Sequence, residues 1–330
     1  MHDLKKILII RFSSIGDIVL TTPIVRCLKD QLPGTEIHYL TKKQFLPVIR
    51  KNPHIDKFYA IEKDINEVIP LLRKENYAHI VDLHKNLRSL GVKLRLKKPS
   101  TSFNKLNIQK WVLVNFKINR LPDIHIVDRY FGAVKSLGVK NDGNGLEYYI
   151  PEGDKVHLND LPESHRNGFI GFVIGGKHFT KMLPEEKVIS LCRKLSRPVI
   201  LLGGHEDELA GRKIQEKSGD KVFNACGKFN INQSASLVRQ AGKIITNDTG
   251  LMHIAATFGK VIVSVWGNTI PEFGMYPYLP EDKKNLSTIA EIKGLACRPC
   301  SKIGFKKCPK GHFKCMMEID EVDILNVIND

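Results

Sequence analysis

A chain of 330 residues exceeds the size over which a single core keeps growing, so two domains of about 150 residues each are the natural division. Hydrophobic residues make up 42% of it, which excludes a disordered or fibrous chain, and no apolar run approaches the roughly 20 residues of a membrane-spanning helix. A formal net charge of +16 favours polyanionic partners such as nucleic acid, anionic lipid or a phosphorylated glycolipid, without choosing among them.

The N-terminus, Met1 to Lys6, enters a strand without the apolar core of a secretory leader, so a cytoplasmic location is expected. Residues 5–10 read as a buried strand and 17–32 as one helix, closed by Pro33-Gly34. Strands are predicted at 36–40, 57–60, 79–82 and 101–103, each followed by a helical or basic segment, and this alternation specifies a parallel α/β sheet. Residues 143–162, rich in Gly, Pro, Asn and Asp, read as a linker between domains. The alternation then restarts, with strands at 168–174, 198–202, 243–246 and 261–265 and helices beginning near Pro184, His205, Asn232 and Thr249. The domains are therefore placed at 1–155 and 156–315, with a last helix within 316–330.

In doubly wound sheets ligands collect beyond the carboxyl ends of the strands, so the first loop of each half is the place to look for chemistry. After the first strand comes Arg11-Phe12-Ser13-Ser14-Ile15-Gly16-Asp17, with one glycine where a dinucleotide fingerprint needs three. Asp17 stands at a helix entrance, where a carboxylate either caps free amides or serves as a base. In the second half, Asn247-Asp248-Thr249-Gly250 joins a strand to an apolar helix. Its amides, the Thr249 hydroxyl and a glycine that admits close approach suit a diphosphate, although an ordinary capped helix looks similar. His253, one turn in, serves that site or packs on the sheet.

Two further features stand apart. Residues 85–117 are strongly basic, including Arg88, Lys93, Arg95, Lys97, Lys98, Lys105 and Lys110, with Trp111 and Phe116 interleaved; this is a solvated face or a patch for phosphate or membrane. Cys297-x2-Cys300-x7-Cys308-x6-Cys315, near His312, fits packing thiols, a structural zinc site or a disulfide pair.

The run Asp248-Thr249-Gly250-Leu251-Met252-His253-Ile254-Ala255-Ala256, with Gly259-Lys260 and Trp266-Gly267-Asn268-Thr269 after it, resembles the signature of the heptosyltransferases, glycosyltransferase family 9. The opening run from Ile10 to Pro23 resembles the family's N-terminal signature, and weaker likenesses at 82–89, 125–130 and 181–184 extend the match along the chain. The resemblance implies a GT-B fold, two Rossmann-like domains facing a cleft, whose last helix packs back on the first domain. It implies an inverting, metal-independent transfer of heptose from ADP-heptose, a substrate rather than a cofactor, to the inner core of lipopolysaccharide at the membrane's inner face.

Carried over by position, Asp17 is the base, and Ser13, Ser14, Gly16, His84 and Arg88 face the acceptor. Lys181, Asp248, Thr249, Gly250 and His253 hold the donor, and one of Glu206, Asp207 and Glu208 holds its ribose. One departure is Leu183, where the family often has Trp. The rival readings are a GT-B sugar-nucleotide epimerase or hydrolase, which the basic segment disfavours, a glycosyltransferase with another donor, and a nucleic-acid-binding protein, for which no recognition element is present.

Overall fold

In the first half the strands read from the sequence pair into one parallel sheet. The structure is a computed structural model that describes residues 5–330; Met1 to Leu4, where the absence of a leader was read, lie outside the described residues. The chain forms two units by contact, the first comprising the chain up to Lys105 together with Ile124–Tyr149, the second Leu106–Asp123 with Ile150–Asp330.

In the first unit β1 (Lys6–Ile10), β2 (Glu36–Lys42), β3 (Lys57–Ile61), β4 (His79–Asp82) and β5 (Ser100–Ser102) make a parallel sheet in the order β3-β2-β1-β4-β5. The central strand β1 carries Ile7, Leu8, Ile9 and Ile10 with no exposed surface, as a strand covered on both faces requires. The helix read over residues 17–32 is two helices, Ile15–Val19 and Thr22–Gln31. Pro23 explains the break: it has no N–H to give the carbonyl four residues back, and the Thr22 hydroxyl donates to that Val19 carbonyl instead, at 2.8 Å.

In the second unit β6 (Ile170–Val173), β7 (Val199–Leu202), β8 (Val222–Asn224), β9 (Lys243–Asn247), β10 (Val261–Trp266) and β11 (Ser287–Glu291) make a parallel sheet in the order β11-β10-β9-β6-β7-β8. Strands β8 and β11 were not read from the sequence. The first has three residues, and the second is a half-exposed edge strand without an apolar run.

One segment is placed differently from expectation, and two others near the division are fixed by their contacts. The helix Asn107–Phe116 belongs to the second unit, where Leu113 packs with Ile270 and Phe273. The segment read as a linker is anchored in the first unit at its start: Arg26 bonds both Asp142 oxygens at 2.7 and 2.9 Å and Glu147 at 3.0 Å. The last helix, Glu321–Asn329, packs on the second unit, with Ile324 and Ile328 in its core and Glu321 paired to Lys187 and Lys194.

Candidate active site

Each sheet reverses its strand order between two neighbours, β1 and β4 in the first unit, β6 and β9 in the second, and crevices that take ligands open beyond such switch points. Both groups of residues singled out from the sequence lie there.

In the first unit the chain leaves β1 through Arg11 and Phe12 and re-enters a helix at Ile15. The Asp17 carboxylate turns back over this loop: one oxygen accepts from the Ser14 amide (3.1 Å) and hydroxyl (2.7 Å), the other meets the Arg11 guanidinium at 2.5 Å. Asp17 thus does cap the helix, and its side chain still keeps 24% of its surface open. Arg11 is fixed from the far side of the switch point, donating to the carbonyls of Ser13 and Leu83 and to the Tyr130 hydroxyl. Burial is the largest influence and works against its charge, yet Asp17, Tyr130 and Tyr39 together hold the guanidinium above its ordinary value.

His84 follows β4, its ring edge-on to Phe12 at 5.4 Å. Burial, then the nearby Arg11 charge, lowers its pKa to about 4, so it is neutral at physiological pH, and its Nδ1 is buried without a partner. Arg88 lies over the Phe12 ring, 5.6 Å from its centroid. Asp17, Ser14, His84 and Arg88 therefore share one neighbourhood; Gly16 is buried in the helix, and Ser13 contributes its carbonyl to Arg11. Arg11 and Tyr130 were given no role from the sequence. The signal available was an arginine directly after an all-apolar strand, where a charge survives only with partners.

In the second unit the chain leaves β9 at Asn247, whose side chain ties the switch point together: its amide reaches the Ile174 carbonyl at 3.0 Å, and its oxygen accepts from the Leu183 amide at 3.1 Å. Asp248 follows, paired with Lys181 at 2.5 Å and accepting from the Thr269 hydroxyl at 3.0 Å. Thr249 precedes the helix Gly250–Thr257, and its hydroxyl is buried with no hydrogen-bond partner. Both polar atoms of the Asn268 side chain, in the loop after β10, are buried and unpartnered as well. Unmet polar atoms of this kind cost about 1–3 kcal/mol each and gather where a ligand completes them. His253 is 2% exposed, within the helix. Leu183 is also buried, in the unit's main apolar cluster.

The three acidic residues after β7 are sorted by their partners. Asp207 is buried and accepts from the Gly204 amide at 2.8 Å, with burial raising its pKa despite that bond. Glu208 pairs with Arg212 and faces His205. Glu206 is exposed and has no partner among the described residues.

The cysteines are free thiols. The Cys300 thiol donates to the Cys297 carbonyl at 3.0 Å, Cys297 sits 3.9 Å from His312, and Cys315 is buried in the apolar cluster with Cys308 against it. Burial raises Cys300 to about 12 and Cys315 to about 11. No three metal-ligating side chains converge among the described residues.

Residues 66–302 match the model of a family described as glycosyltransferase family 9 (heptosyltransferase). Among characterised proteins, lipopolysaccharide heptosyltransferase 1 of Campylobacter coli is 25% identical over 98% of both chains. Lipopolysaccharide heptosyltransferase 2 of Escherichia coli strain K12 is 24% identical over 81% of this chain and 84% of its own. The solved structure of E. coli ADP-heptose lps heptosyltransferase II matches with a TM-score of 0.72, at 22% identity, over 98% of this chain and 97% of its own, a likeness of fold.

Proposed function

The chain belongs to glycosyltransferase family 9, the heptosyltransferases, with the GT-B fold, and from that premise we propose that it moves heptose from ADP-heptose to a sugar of the lipopolysaccharide inner core. The observation that carries the site assignment is the second unit's switch point, where the buried, unpartnered Thr249 hydroxyl stands at a helix N-terminus beside Lys181. That combination of free donors and positive charge suits a diphosphate.

In this reading the diphosphate takes the Thr249 hydroxyl and the amides at the start of the helix, and Lys181 shifts from Asp248 toward it. Glu206, the one carboxylate of its group left without a partner, accepts from the ribose hydroxyls. Asp17 removes the proton of the acceptor hydroxyl as that oxygen attacks the anomeric carbon from the face opposite the departing ADP, which inverts the centre. Lys181 and the amides meet the charge growing on ADP, the service a divalent ion gives in other transferases, so the reaction proceeds without one.

His84, neutral and with a free buried nitrogen, and Arg88 face the acceptor, a phosphorylated glycolipid for which Arg88 supplies a countercharge. Such an acceptor places the enzyme on the cytoplasmic side of the membrane as a peripheral protein. No helix among the described residues is long and apolar enough to cross a membrane.

The test is Asp17→Asn, which keeps the cap's shape while removing the base. Transfer is expected to fall about 100- to 10,000-fold with ADP affinity unchanged. Turnover near the parent's at saturating acceptor would remove Asp17 from the role.

A further inference from the structure

Between Asp82 and Asp123 the sequence holds ten lysines and arginines and no acidic residue. Seven large apolar side chains in the same stretch are exposed, three of them on the helix Leu87–Leu96. That helix is apolar on two opposite faces. Ser89, Val92 and Leu96 are buried, as the inward face of a sheet-packed helix must be. Leu87, Leu90 and Leu94, at helical spacing on the other side, are 86%, 43% and 66% exposed. A fold of this kind needs only the first face, so the second calls for another explanation.

The charges around the outward leucines are arranged for an anion. Arg95 flanks the stripe, and Lys97 and Lys98 close its C-terminal end. Arg73, from the neighbouring helix Ile69–Lys74, reaches over to the Arg95 carbonyl at 3.4 Å and adds its own charge there. Among the described residues none of these four pairs with a carboxylate: Arg95 turns to the Gly91 carbonyl and Lys98 to the Asn76 side chain. Lys93 differs, being tied inward to Asp82 at 3.1 Å, and it takes no part. Basic side chains at a helix C-terminus also complement its dipole, but the dipole asks nothing of three outward leucines.

We propose that the helix Leu87–Leu96 is the face by which this protein lies on a bilayer rich in anionic phospholipid. Leu87, Leu90 and Leu94 enter the boundary between headgroups and acyl chains, and Arg73, Arg95, Lys97 and Lys98 meet the lipid phosphates. Charge complementarity selects this occupant: a second copy of a chain of net charge +16, meeting through the same face, would bring like charges together. The proposal gives the membrane contact of the function above a location, and its test omits the acceptor so that the two stand or fall separately.

The experiment is co-sedimentation of the full chain with vesicles of equal parts phosphatidylcholine and phosphatidylglycerol, free of glycolipid, with phosphatidylcholine vesicles as the control. The parent is expected to bind the anionic vesicles alone and to release as salt rises. Leu90→Asp with Leu94→Asp should weaken binding about tenfold or more, since the apolar face can no longer enter the lipid. Arg95→Glu, Lys97→Glu and Lys98→Glu together should weaken it by roughly fivefold or more for each charge. Retained ADP binding and an unchanged unfolding transition establish that each variant is folded. Equal binding by the leucine variant and the parent would overturn the proposal, and so would a parent that ignores anionic vesicles and forms a dimer which the leucine variant dissociates. Vesicle binding as expected in a protein that transfers no heptose would uphold the docking face and count against the proposed function.

Discussion

At the scale of single residues, the first unit's switch point combines two charges and a neutral ring, and each state has a cause. Arg11 stays charged in a buried position because Asp17 and three oxygens satisfy it, and that same charge helps keep His84 neutral. The consequence is a pH dependence of stability. In the unfolded chain His84 takes up a proton at its ordinary value near 6.5, while in the folded protein it does so only near 4. The unfolded state therefore binds more protons between those limits, and stability is lost as pH falls from about 6.5 to about 4. The shift corresponds to about 2 kcal/mol after allowance for partial exposure. Replacing His84 by Phe keeps a ring against Phe12 and removes the titration, so the difference between parent and variant in denaturant midpoint should be constant above about pH 7, and the parent should lose stability relative to the variant as pH falls from about 6.5 toward 4. A constant difference across that range would show that His84 does not titrate this way. The position of Asp17, beyond the central strand at the switch point, was legible in the sequence because its loop carries a long motif. Arg11 was not, since two of its partners, Leu83 and Tyr130, lie 72 and 119 positions away, and spacing carries no information about contacts so remote.

At the scale of elements, the central strands were legible because a strand buried on both faces must be a short continuous apolar run, as β1 and β10 are. Edge strands such as β11 lack that constraint, and the helix break at Pro23 depends on a threonine hydroxyl taking over a backbone bond. The segment that reads as a linker posed a harder problem. Its composition suits a loop, yet Asp142 and Glu147 are held by Arg26, itself 7% exposed on the helix Thr22–Gln31. Arg26 also donates to the Gly145 carbonyl at 3.0 Å, so one guanidinium fixes the chain over several residues. Arg26→Met removes a nearly buried charge and leaves both carboxylates without their countercharge, a loss of about 3 kcal/mol by denaturant unfolding. Gln31→Ala, five residues further on, removes the exposed exchange of hydrogen bonds with the Lys140 backbone and should cost about 1 kcal/mol. Similar costs for the two would mean that the arginine cluster does not anchor the segment.

At the scale of the whole molecule, the transfer chemistry divides between the units: the proposed base belongs to the first, the proposed diphosphate site to the second. The two-unit organisation was legible from length and from the restart of the strand-helix alternation. The excursion of Leu106–Asp123 into the second unit was not, because it rests on apolar contacts around Leu113 and on Lys117 donating to the Cys297 and Pro299 carbonyls, remote partners that no periodicity announces. This division makes donor binding separable from catalysis. ADP at one hundred times its dissociation constant should stabilise the protein by about 2.7 kcal/mol, and Asp17→Asn should keep that gain in full.

Two substitutions in the second unit should lose it for different reasons. Thr249→Val removes a hydroxyl that is buried and unpartnered without ligand, so the free protein should be as stable as the parent or more so, while the gain from ADP shrinks. Lys181→Ala does more than delete one phosphate contact. It strips Asp248 of its cation and leaves a carboxylate, accepting from Thr269, close to the diphosphate. Like charges so placed repel, so Lys181→Ala should weaken ADP more than Thr249→Val does, and adding Asp248→Asn should restore part of the loss. Thermal unfolding with and without ADP, checked by calorimetry, separates these outcomes. Parent-like ADP binding in both single variants would place the diphosphate elsewhere. Failure of Asp248→Asn to restore any affinity would show that Lys181 acts on the phosphate alone and not by neutralising its neighbour.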